Sequence, residues 1–274
     1  MSLLTGTNVL VVGGTGGTNL AVARSFARDG ANVGVLSRSS KKVQSAIATL
    51  QHDCGGGQVA GWTADVRDHN SVLEAIEGFG ARFGALDCLI TGPAANFLAA
   101  LTEMTPTAFR TSIDIGLIGT VHVMHAAHPL LRKPGASVVN MSAVQSFMPM
   151  RYQSHACAAK AGIDMLTRVL ALEWASDGIR VNSVAPGPIA ETAGARRIVS
   201  TAEAELALRS HVPAGRLVRQ EEVAELVRFL CSSAALMITG QIFPLDGGLT
   251  VGHYGPEMDA AVPRGTSYVR SLQH

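Results

Sequence analysis

Residues 8–19 read NVLVVGGTGGTN, an apolar run followed at once by a cluster of glycines. The run Asn8–Val12 has the length and the branched side chains of a buried strand. Glycines directly after a strand let the backbone turn into a helix and approach a pyrophosphate, which the N–H groups at the helix start then bind. The stretch predicts a strand, a phosphate-binding turn and a helix, with an ordinary strand-to-helix turn as the alternative.

The same alternation of short apolar runs and longer helical stretches continues through the 274 residues. The predicted strands are Asn8–Val12, Asn32–Leu36, Gln58–Trp62, Leu86–Ile90, Ser137–Met141, Ile179–Val184 and Gln241–Pro244. The predicted helices are Leu20–Arg28, Lys41–Leu50, Ser71–Arg82, Ile113–Leu131, a long helix ending near Trp174, and Glu221–Leu230. This order predicts an α/β protein with a Rossmann fold, a doubly wound parallel sheet of about seven strands with helices on both faces.

No linker, repeat or low-complexity run divides the sequence, so residues 1–274 are predicted to form a single domain. Within it, residues 188–215 are predicted to be a substrate-loop region. The irregular tail at 252–274 is expected to be a subunit contact or a frayed end.

The composition excludes several classes of function. Apolar residues make up 47% of the chain and charged residues 16%, which is typical of a well-packed globular protein. The net charge of +1 and the 5% aromatic content give neither a basic field nor a base-stacking surface, so we expect no nucleic-acid partner and no membrane association. The first residues lack the pattern of a signal peptide and the last three, Leu-Gln-His, are not a peroxisomal address, so we expect a cytoplasmic location.

The cysteines and histidines predict no metal site. The four cysteines are far apart in the sequence, as expected for reduced thiols. His122, His125 and His128 recur every three residues, so on a helix they fan across one side in steps of about 60°. Metal sites prefer tighter convergence together with an acid or a cysteine, so helix packing or a subunit interface is the preferred interpretation.

Arg38 follows the second predicted strand, between Ser37 and Ser39. An acid at this point would bind a ribose 2′-hydroxyl, whereas arginine binds a 2′-phosphate through its forked donors. We therefore expect NADP(H) as the cofactor, with a solvated surface arginine as the alternative. Asp65 and Val66 follow the third strand, where a carboxylate can accept from an adenine amino group. In the first three strand-to-helix connections we predict that these residues bind the cofactor: Gly13, Thr15, Gly16, Gly17, Thr18, Asn19, Ser37, Arg38, Asp65 and Val66.

Four further motifs occur in order along the chain: AAKAG at 158–162, IRVN at 179–182, APGPI at 185–189 and LDGG at 245–248. With the glycine-rich turn they resemble the short-chain dehydrogenase/reductase family over about residues 7–250. The resemblance implies hydride transfer assisted by a tyrosine proton donor, a lysine four residues later, a serine and an asparagine. It also implies cofactor contacts from Lys160, Pro186, Gly187 and Ile189, and a homo-oligomer, either a tetramer or a dimer.

The sequence departs from this family pattern at the catalytic positions. Lys160 matches the lysine, but Ala156 stands at the tyrosine position, Ala143 at the serine position and Gly116 at the asparagine position. The glycine motif departs as well, with Val12 at its usual threonine and Asn19 at its third glycine.

One branch of the family, the 2,4-dienoyl-CoA reductases, also lacks the tyrosine. The sequence resembles their peroxisomal type in AANFL at 94–98, His155-Ala156, ALEW at 171–174 and Arg196-Arg197. This branch implies reduction of a conjugated acyl-CoA thioester. Its peroxisomal type would have an acid where this chain has Gly116, and its mitochondrial type a tyrosine where this chain has Gln145.

The missing tyrosine favours conjugate reduction over ketone reduction. In conjugate reduction hydride adds to an alkene carbon instead of the carbonyl carbon, and the charge goes to a thioester enolate, which hydrogen-bond donors stabilise. The candidate catalytic residues are Lys160, Tyr152, Asn96, Ser142 and Asp114. The candidate substrate contacts are Phe97 and, for the CoA phosphates, Arg196 and Arg197. For these candidates other than Lys160 and Phe97, an ordinary structural role is the alternative. Tyr152, Arg196 and Arg197 could be surface residues, and Asp114 an acid at a helix start. Asn96 and Ser142 could cap a loop and a strand end.

Two alternatives to the thioester reductase remain. One is a short-chain carbonyl reductase that uses Tyr152 as a relocated acid. The other is a cofactor-binding member with little catalysis, acting as a partner subunit or a sensor.

Overall fold

The computed structural model describes residues 4–190 and 201–251. These residues form a seven-stranded sheet in which every neighbouring pair is parallel. The strands are β1 Asn8–Val12, β2 Asn32–Ser37, β3 Val59–Thr63, β4 Cys88–Thr91, β5 Ser137–Met141, β6 Arg180–Pro186 and β7 Ile242–Leu245. Their order across the sheet is β3-β2-β1-β4-β5-β6-β7, which confirms the predicted doubly wound fold.

Helices connect the strands and cover both faces of the sheet. They are α1 Gly17–Arg28, α2 Ser40–His52, α3 His69–Phe83, α4 Pro106–Ile113, α5 Gly119–Ala127, α6 Ser154–Glu173, α7 Ala202–Ser210 and α8 Gln220–Cys231. A π-helical segment, Asp114–Ile118, joins α4 to α5. No helix in the described ranges is long and apolar enough to cross a membrane.

Two hydrophobic clusters, one on each side of the sheet, form the core. Side chains alternate across a strand, so Val9 and Val11 of β1 pack on one side while Leu10 and Val12 pack on the other. The first cluster is covered by α1, α2 and α8, and the second by α3, α5 and α6. All five residues of β1 are buried, as expected for a central parallel strand.

The helix between β4 and β5 begins earlier than predicted, at Pro106 instead of Ile113. Thr105 caps it by accepting a hydrogen bond from the Ala108 N–H at 3.2 Å, and proline suits the first helical position because it has no N–H to leave unpaired. The π segment then inserts an irregular turn in the middle of the helix, at Gly116.

The sheet order reverses at β1, which lies between β2 and β4. Ligands of open α/β sheets bind outside the carboxyl ends of the strands at such a switch point. The predicted substrate-loop region 188–215 is described at 188–190 and from 201 onward, where it includes α7. The predicted tail 252–274 lies outside the described residues.

Candidate active site

The turn after β1 has the geometry of a phosphate-binding loop. Gly13 has a φ of +77° and Gly17 a φ of +54°, a backbone region that glycine adopts without strain. Gly16 is the N-cap of α1, no described side chain caps this end, and the first turn carries no acid. The first N–H groups of α1 are therefore available to an anion, and the helix dipole adds to the attraction.

Asn19, which replaces the third glycine of the motif, has a structural role that the sequence did not indicate. Its side-chain amide donates to the Gly92 carbonyl at 3.2 Å and, more weakly, to the Val12 carbonyl at 3.4 Å. The ends of β1 and β4 are thereby joined across the switch point.

The end of the crevice beside β2 and β3 carries several cations. Arg38 and Lys42 line the crevice, and Lys42 lies in the first turn of α2. Arg67 holds the Asp65 carboxylate through Nε and Nη2, with Nη2 at 2.5 Å from Oδ2, and this pairing lowers the pKa of Asp65. The nearby charge of Arg38 contributes to the same lowering of that pKa. Asp65, and more weakly Asp114, raise the pKa of Arg67.

A cleft of about 590 Å³ runs along the carboxyl ends of β1, β2, β3 and β4. The predicted site residues that line it are Gly13, Ser37, Arg38, Asp65, Val66, Asn96 and Phe97. A long polar crevice with cations at one end and the uncapped α1 beside it fits a phosphorylated dinucleotide.

Lys160 lies on α6, and its Nζ donates to the backbone carbonyl of Met141 at the end of β5 at 2.5 Å. Burial lowers the pKa of Lys160 to about 8, and the charge of Asp164 one turn later opposes this shift. Asp164 is itself buried and accepts a hydrogen bond from Ser183 at 3.1 Å.

Small residues stand on α6 near Lys160 and on two segments that pack against this helix. Ala156 is buried one turn before it on α6, and Ala143 follows the end of β5. Gly116 lies in the π segment, where an added Cβ would come within 3.3 Å of the Ala159 Cβ. Segment and helix pack too closely there for a side chain to enter without a shift of a few tenths of an ångström.

Polar groups gather where the loop after β4 meets the start of α6. Asn96 Nδ2 donates to Gln153 Oε1 at 3.0 Å, and the Phe97 ring stacks on the His155 ring with a centroid separation of 4.1 Å. The hydroxyl of Ser142 and both ring nitrogens of His155 are buried without a hydrogen-bond partner among the described residues. Buried polar groups are normally paired, and of the residues in this group Asn96 and Phe97 line the cleft.

Two other candidate catalytic residues, Tyr152 and Asp114, have surroundings of another kind. Tyr152 is 58% exposed, in the turn before α6, with a φ of +65°, and its carbonyl accepts from the Ala99 N–H at 3.0 Å. Asp114 begins the π segment, and its charge acts on Arg67 beside the end of β3.

The loop after β6 packs against a buried acid. A Cβ at Gly187 would lie 2.9 Å from the Asp246 Cβ, so only glycine fits there. Pro188 and Ala190 bond to Val218 on either side of Ile189. Arg196 and Arg197 lie outside the described residues.

Comparisons with known proteins identify the family to which the chain belongs. Residues 14–250 match the protein-family model described as Enoyl-(Acyl carrier protein) reductase. The chain belongs to the short-chain dehydrogenase/reductase family. It is 34% identical to an Arabidopsis thaliana protein named peroxisomal 2,4-dienoyl-CoA reductase, over 88% of this chain and 83% of that one. It is 36% identical to a probable 2,4-dienoyl-CoA reductase of Bacillus subtilis, over 90% and 97%.

A solved short chain dehydrogenase from Bacillus anthracis has a similar fold, with a TM-score of 0.83 and 30% identity over 93% of this chain and all of that one. The resemblance predicted from the motifs is thus confirmed, both to the short-chain dehydrogenases/reductases and to their 2,4-dienoyl-CoA reductase branch.

Within this short-chain dehydrogenase/reductase, sequence reasoning missed Lys42 and Gln153. Lys42 could have been found from its place four residues after Arg38 at a helix start. Gln153 gave no signal, because its partner Asn96 lies 57 residues away in the sequence. No group of three or more His, Cys, Asp or Glu residues in ranges 4–190 and 201–251 could hold a metal ion.

Proposed function

We propose that the protein is an NADPH-dependent reductase of a conjugated enoyl thioester, with a 2,4-dienoyl-CoA as the preferred substrate class. The observation that carries the proposal is the composition around Lys160. The lysine is kept, while Ala156, Ala143 and Gly116 remove the groups with which the family protonates a ketone oxygen. Relatives named 2,4-dienoyl-CoA reductases, at 34% and 36% identity, support the same reaction.

The reaction type explains why these donors can be missing. Ketone reduction leaves charge on the former carbonyl oxygen, and losing the acid that protonates it costs about 10²–10⁴-fold in rate. In conjugate reduction the charge spreads into an enolate, and a hydrogen-bond donor to its oxygen contributes about 10²–10³-fold in kcat. The last proton goes to carbon and comes from water. NADPH, when bound, would supply the hydride, and Lys160 would hold the nicotinamide ribose and provide a positive field.

Asn96 and Ser142 are the proposed donors to the thioester oxygen. Asn96 lines the cleft, and the buried Ser142 hydroxyl has no partner within the described part of the chain. Phe97, which also lines the cleft, supplies a flat apolar wall for the conjugated chain. Tyr152 is the weaker candidate for a donor because its side chain is largely exposed.

The preference for NADPH over NADH is supported by charge. Arg38 and Lys42 both line the cleft, and residues 36–42 contain no acid to repel a 2′-phosphate. Arginine binds phosphate with two parallel hydrogen bonds, and lysine adds a second positive charge. For the CoA phosphates we propose Arg196 and Arg197; replacing both with alanine should raise KM for the acyl-CoA but not for NADPH.

We also propose a cytoplasmic homo-oligomer, a tetramer or a dimer. An exposed apolar face on α5, α6 and the end of the π segment supports it, formed by Ile118, Val121, Met165, Val169 and Leu172. Met165, Val169 and Leu172 recur at helical spacing on one side of α6, and an exposed apolar stripe of this kind is typical of a protein interface. Light scattering after gel filtration tests it: Leu172→Glu combined with Met165→Glu should lower the molecular mass, and an unchanged mass would contradict the use of this face.

Stopped-flow NADPH oxidation tests the proposed reaction. The panel contains a 2,4-dienoyl-CoA, a 2-enoyl-CoA and simple ketones, and NADPH binding by fluorescence in the same preparation serves as the control for folding. Turnover of the dienoyl-CoA without brisk ketone reduction is expected. Rapid ketone turnover with no thioester activity would favour a carbonyl reductase instead. NADPH binding without turnover of any substrate would favour a cofactor-binding partner or sensor.

A further inference from the structure

The side chain of Gln153 joins three segments at the substrate end of the cleft. Its Oε1 accepts from Asn96 Nδ2 at 3.0 Å and, more weakly, from Gln145 Nε2 at 3.4 Å. Its Nε2 is 3.7 Å from the sulfur of Met150. Asn96 belongs to the loop after β4, Gln145 to the turn after β5, and Gln153 itself precedes α6. Because Gln153 is only 3% exposed, water does not compete for these bonds.

Gln153 occupies a position that usually serves its own helix. It is the N-cap residue of α6, where a short polar side chain normally accepts from the first N–H groups. In the described structure its side chain makes no capping bond, and only its backbone carbonyl accepts from the Cys157 N–H at 2.9 Å. The side-chain amide is therefore directed at Asn96 rather than at the helix.

Two more contacts fasten the same loop to the same helix start. The Ala99 N–H donates to the Tyr152 carbonyl at 3.0 Å, and the Phe97 ring lies on the His155 ring at an angle of 17°. Tyr152 is in the left-handed region, which a non-glycine residue keeps only when its surroundings hold it there. Loop residues 96, 97 and 99 are thus each held by one of residues 152–155.

We propose that Gln153 is a positioning residue of the reductase, which holds the amide nitrogen of Asn96 in the orientation that presents an N–H to the thioester oxygen. The inference rests on the proposed function and deepens it. Turning the Asn96 amide over would place its carbonyl oxygen against Gln153 Oε1, and two acceptors repel each other. The bond from Gln145 fixes Gln153 in turn, because its oxygen must face both donors.

A double-mutant cycle tests whether Gln153 acts through Asn96. kcat with a 2,4-dienoyl-CoA is compared in wild type, Gln153→Met, Asn96→Ala and the double variant. Methionine has a similar length but no strong acceptor, so kcat should fall about 10-fold, in line with one hydrogen bond, with KM for NADPH unchanged. In the Asn96→Ala background the same substitution should have no further effect.

Two results would overturn this inference and leave the proposed function standing. One is a wild-type kcat in Gln153→Met. The other is a kcat loss in the double variant equal to the product of the two single losses, as a merely structural role predicts. Wild-type protein that binds NADPH and reduces no dienoyl-CoA would instead refute the proposed function, and the inference with it. Thermal unfolding and NADPH binding are measured for every variant. If Gln153→Met does not fold, Gln153→Asn, which keeps the amide but withdraws it from Asn96, replaces it in the cycle.

Discussion

The side-chain amide of Asn19 crosses the switch point of the sheet and donates to the carbonyl of Gly92 at 3.2 Å. The two residues are matched in size, because a Cβ at Gly92 would lie 2.2 Å from Asn19 Nδ2. In the usual motif a glycine at this point allows close packing of helix on strand. In this chain a bonded side chain takes that space and connects the phosphate-binding turn to the far wall of the cleft.

Asn19→Ala should therefore weaken both the fold and cofactor binding. Removing the amide leaves the Gly92 carbonyl without this donor, for a loss of about 1–2 kcal/mol in the free energy of unfolding. Urea denaturation and NADPH titration measure the two effects. Gln51→Ala, which removes an exposed amide from α2, is the matched control and should change stability by no more than about 0.5 kcal/mol. Wild-type stability and affinity in Asn19→Ala would contradict the structural role.

Arg38→Ala should reduce the preference for NADPH over NADH. A hydrogen-bonded charge pair contributes about 1.5–3 kcal/mol, so kcat/KM for NADPH should fall about 10–100-fold while kcat/KM for NADH stays nearly constant. Lys42→Ala should act in the same direction but less, because an ammonium group lacks the forked geometry. Equal losses of kcat/KM with NADPH and NADH would show that Arg38 supports the cleft without binding the 2′-phosphate.

The fold followed from the sequence because its strands are local patterns. Ser137–Met141 is a continuous apolar-rich run, and the structure has it at the predicted bounds. The start of α4 was missed although its signals, Thr105 and Pro106, are also local. The π segment, which packs against α6, had no such local signal.

The site was predictable only where a single position decides the chemistry. Arg38 could be identified from its place after a strand, because the charge of one side chain carries the argument. The pairing of Asn96 with Gln153 depends on how two distant loops meet, and sequence spacing does not contain that distance. Likewise Asp65 was assigned to adenine, and nothing in the pattern indicated that Arg67 would hold its carboxylate.

Glu222 should make stability depend on pH in the acid range. Arg216 and the Arg219 N–H hold its carboxylate at the start of α8 and lower the pKa to about 2 from 4.5. A lowered carboxyl pKa stabilises the fold above pH 4.5, and this contribution is lost as the pH falls toward 2. Glu222→Gln should therefore destabilise by about 1 kcal/mol at pH 7, after allowance for partial exposure, and by progressively less toward pH 3.

The control for this prediction is Glu225→Gln on the same helix. The Glu225 side chain is 68% exposed and pairs only at the surface with Arg228, so its removal should have little effect at any pH in this range. Urea midpoints at pH 7 and pH 3 compare the two variants. A constant difference between wild type and Glu222→Gln across that range would contradict the assigned ion pair.

Ala156→Tyr restores the residue that the family pattern expects and should still not yield an efficient ketone reductase. Because Ala143 and Gly116 replace the serine and the asparagine of the family pattern, the new hydroxyl lacks the residues that assist it. The tyrosine ring also enters a space that the proposed thioester uses. We expect kcat/KM for the dienoyl-CoA to fall by at least about 10-fold, with overpacking costing about 1–3 kcal/mol of stability. Ala156→Ser, which adds a hydroxyl with little volume, should retain more activity. Undiminished thioester reduction in Ala156→Tyr would show that the substrate does not occupy this space.

Lys160 should impose an alkaline limit on cofactor use. Burial lowers its pKa to about 8, so the free enzyme loses this positive charge as the pH rises through that value. Since kcat/KM reports groups of the free enzyme, kcat/KM for NADPH should be constant below pH 8 and fall above it. The free energy of unfolding should change in the opposite sense. Between pH 8 and 10.5 Lys160 is protonated in the unfolded chain but not in the folded chain. Its contribution therefore makes the fold more stable as the pH rises through this range. Lys160→Arg, which stays charged, should remove the alkaline fall and lower kcat/KM uniformly, whereas a wild-type profile that is flat to pH 10 would show that the lysine charge has no part in binding NADPH.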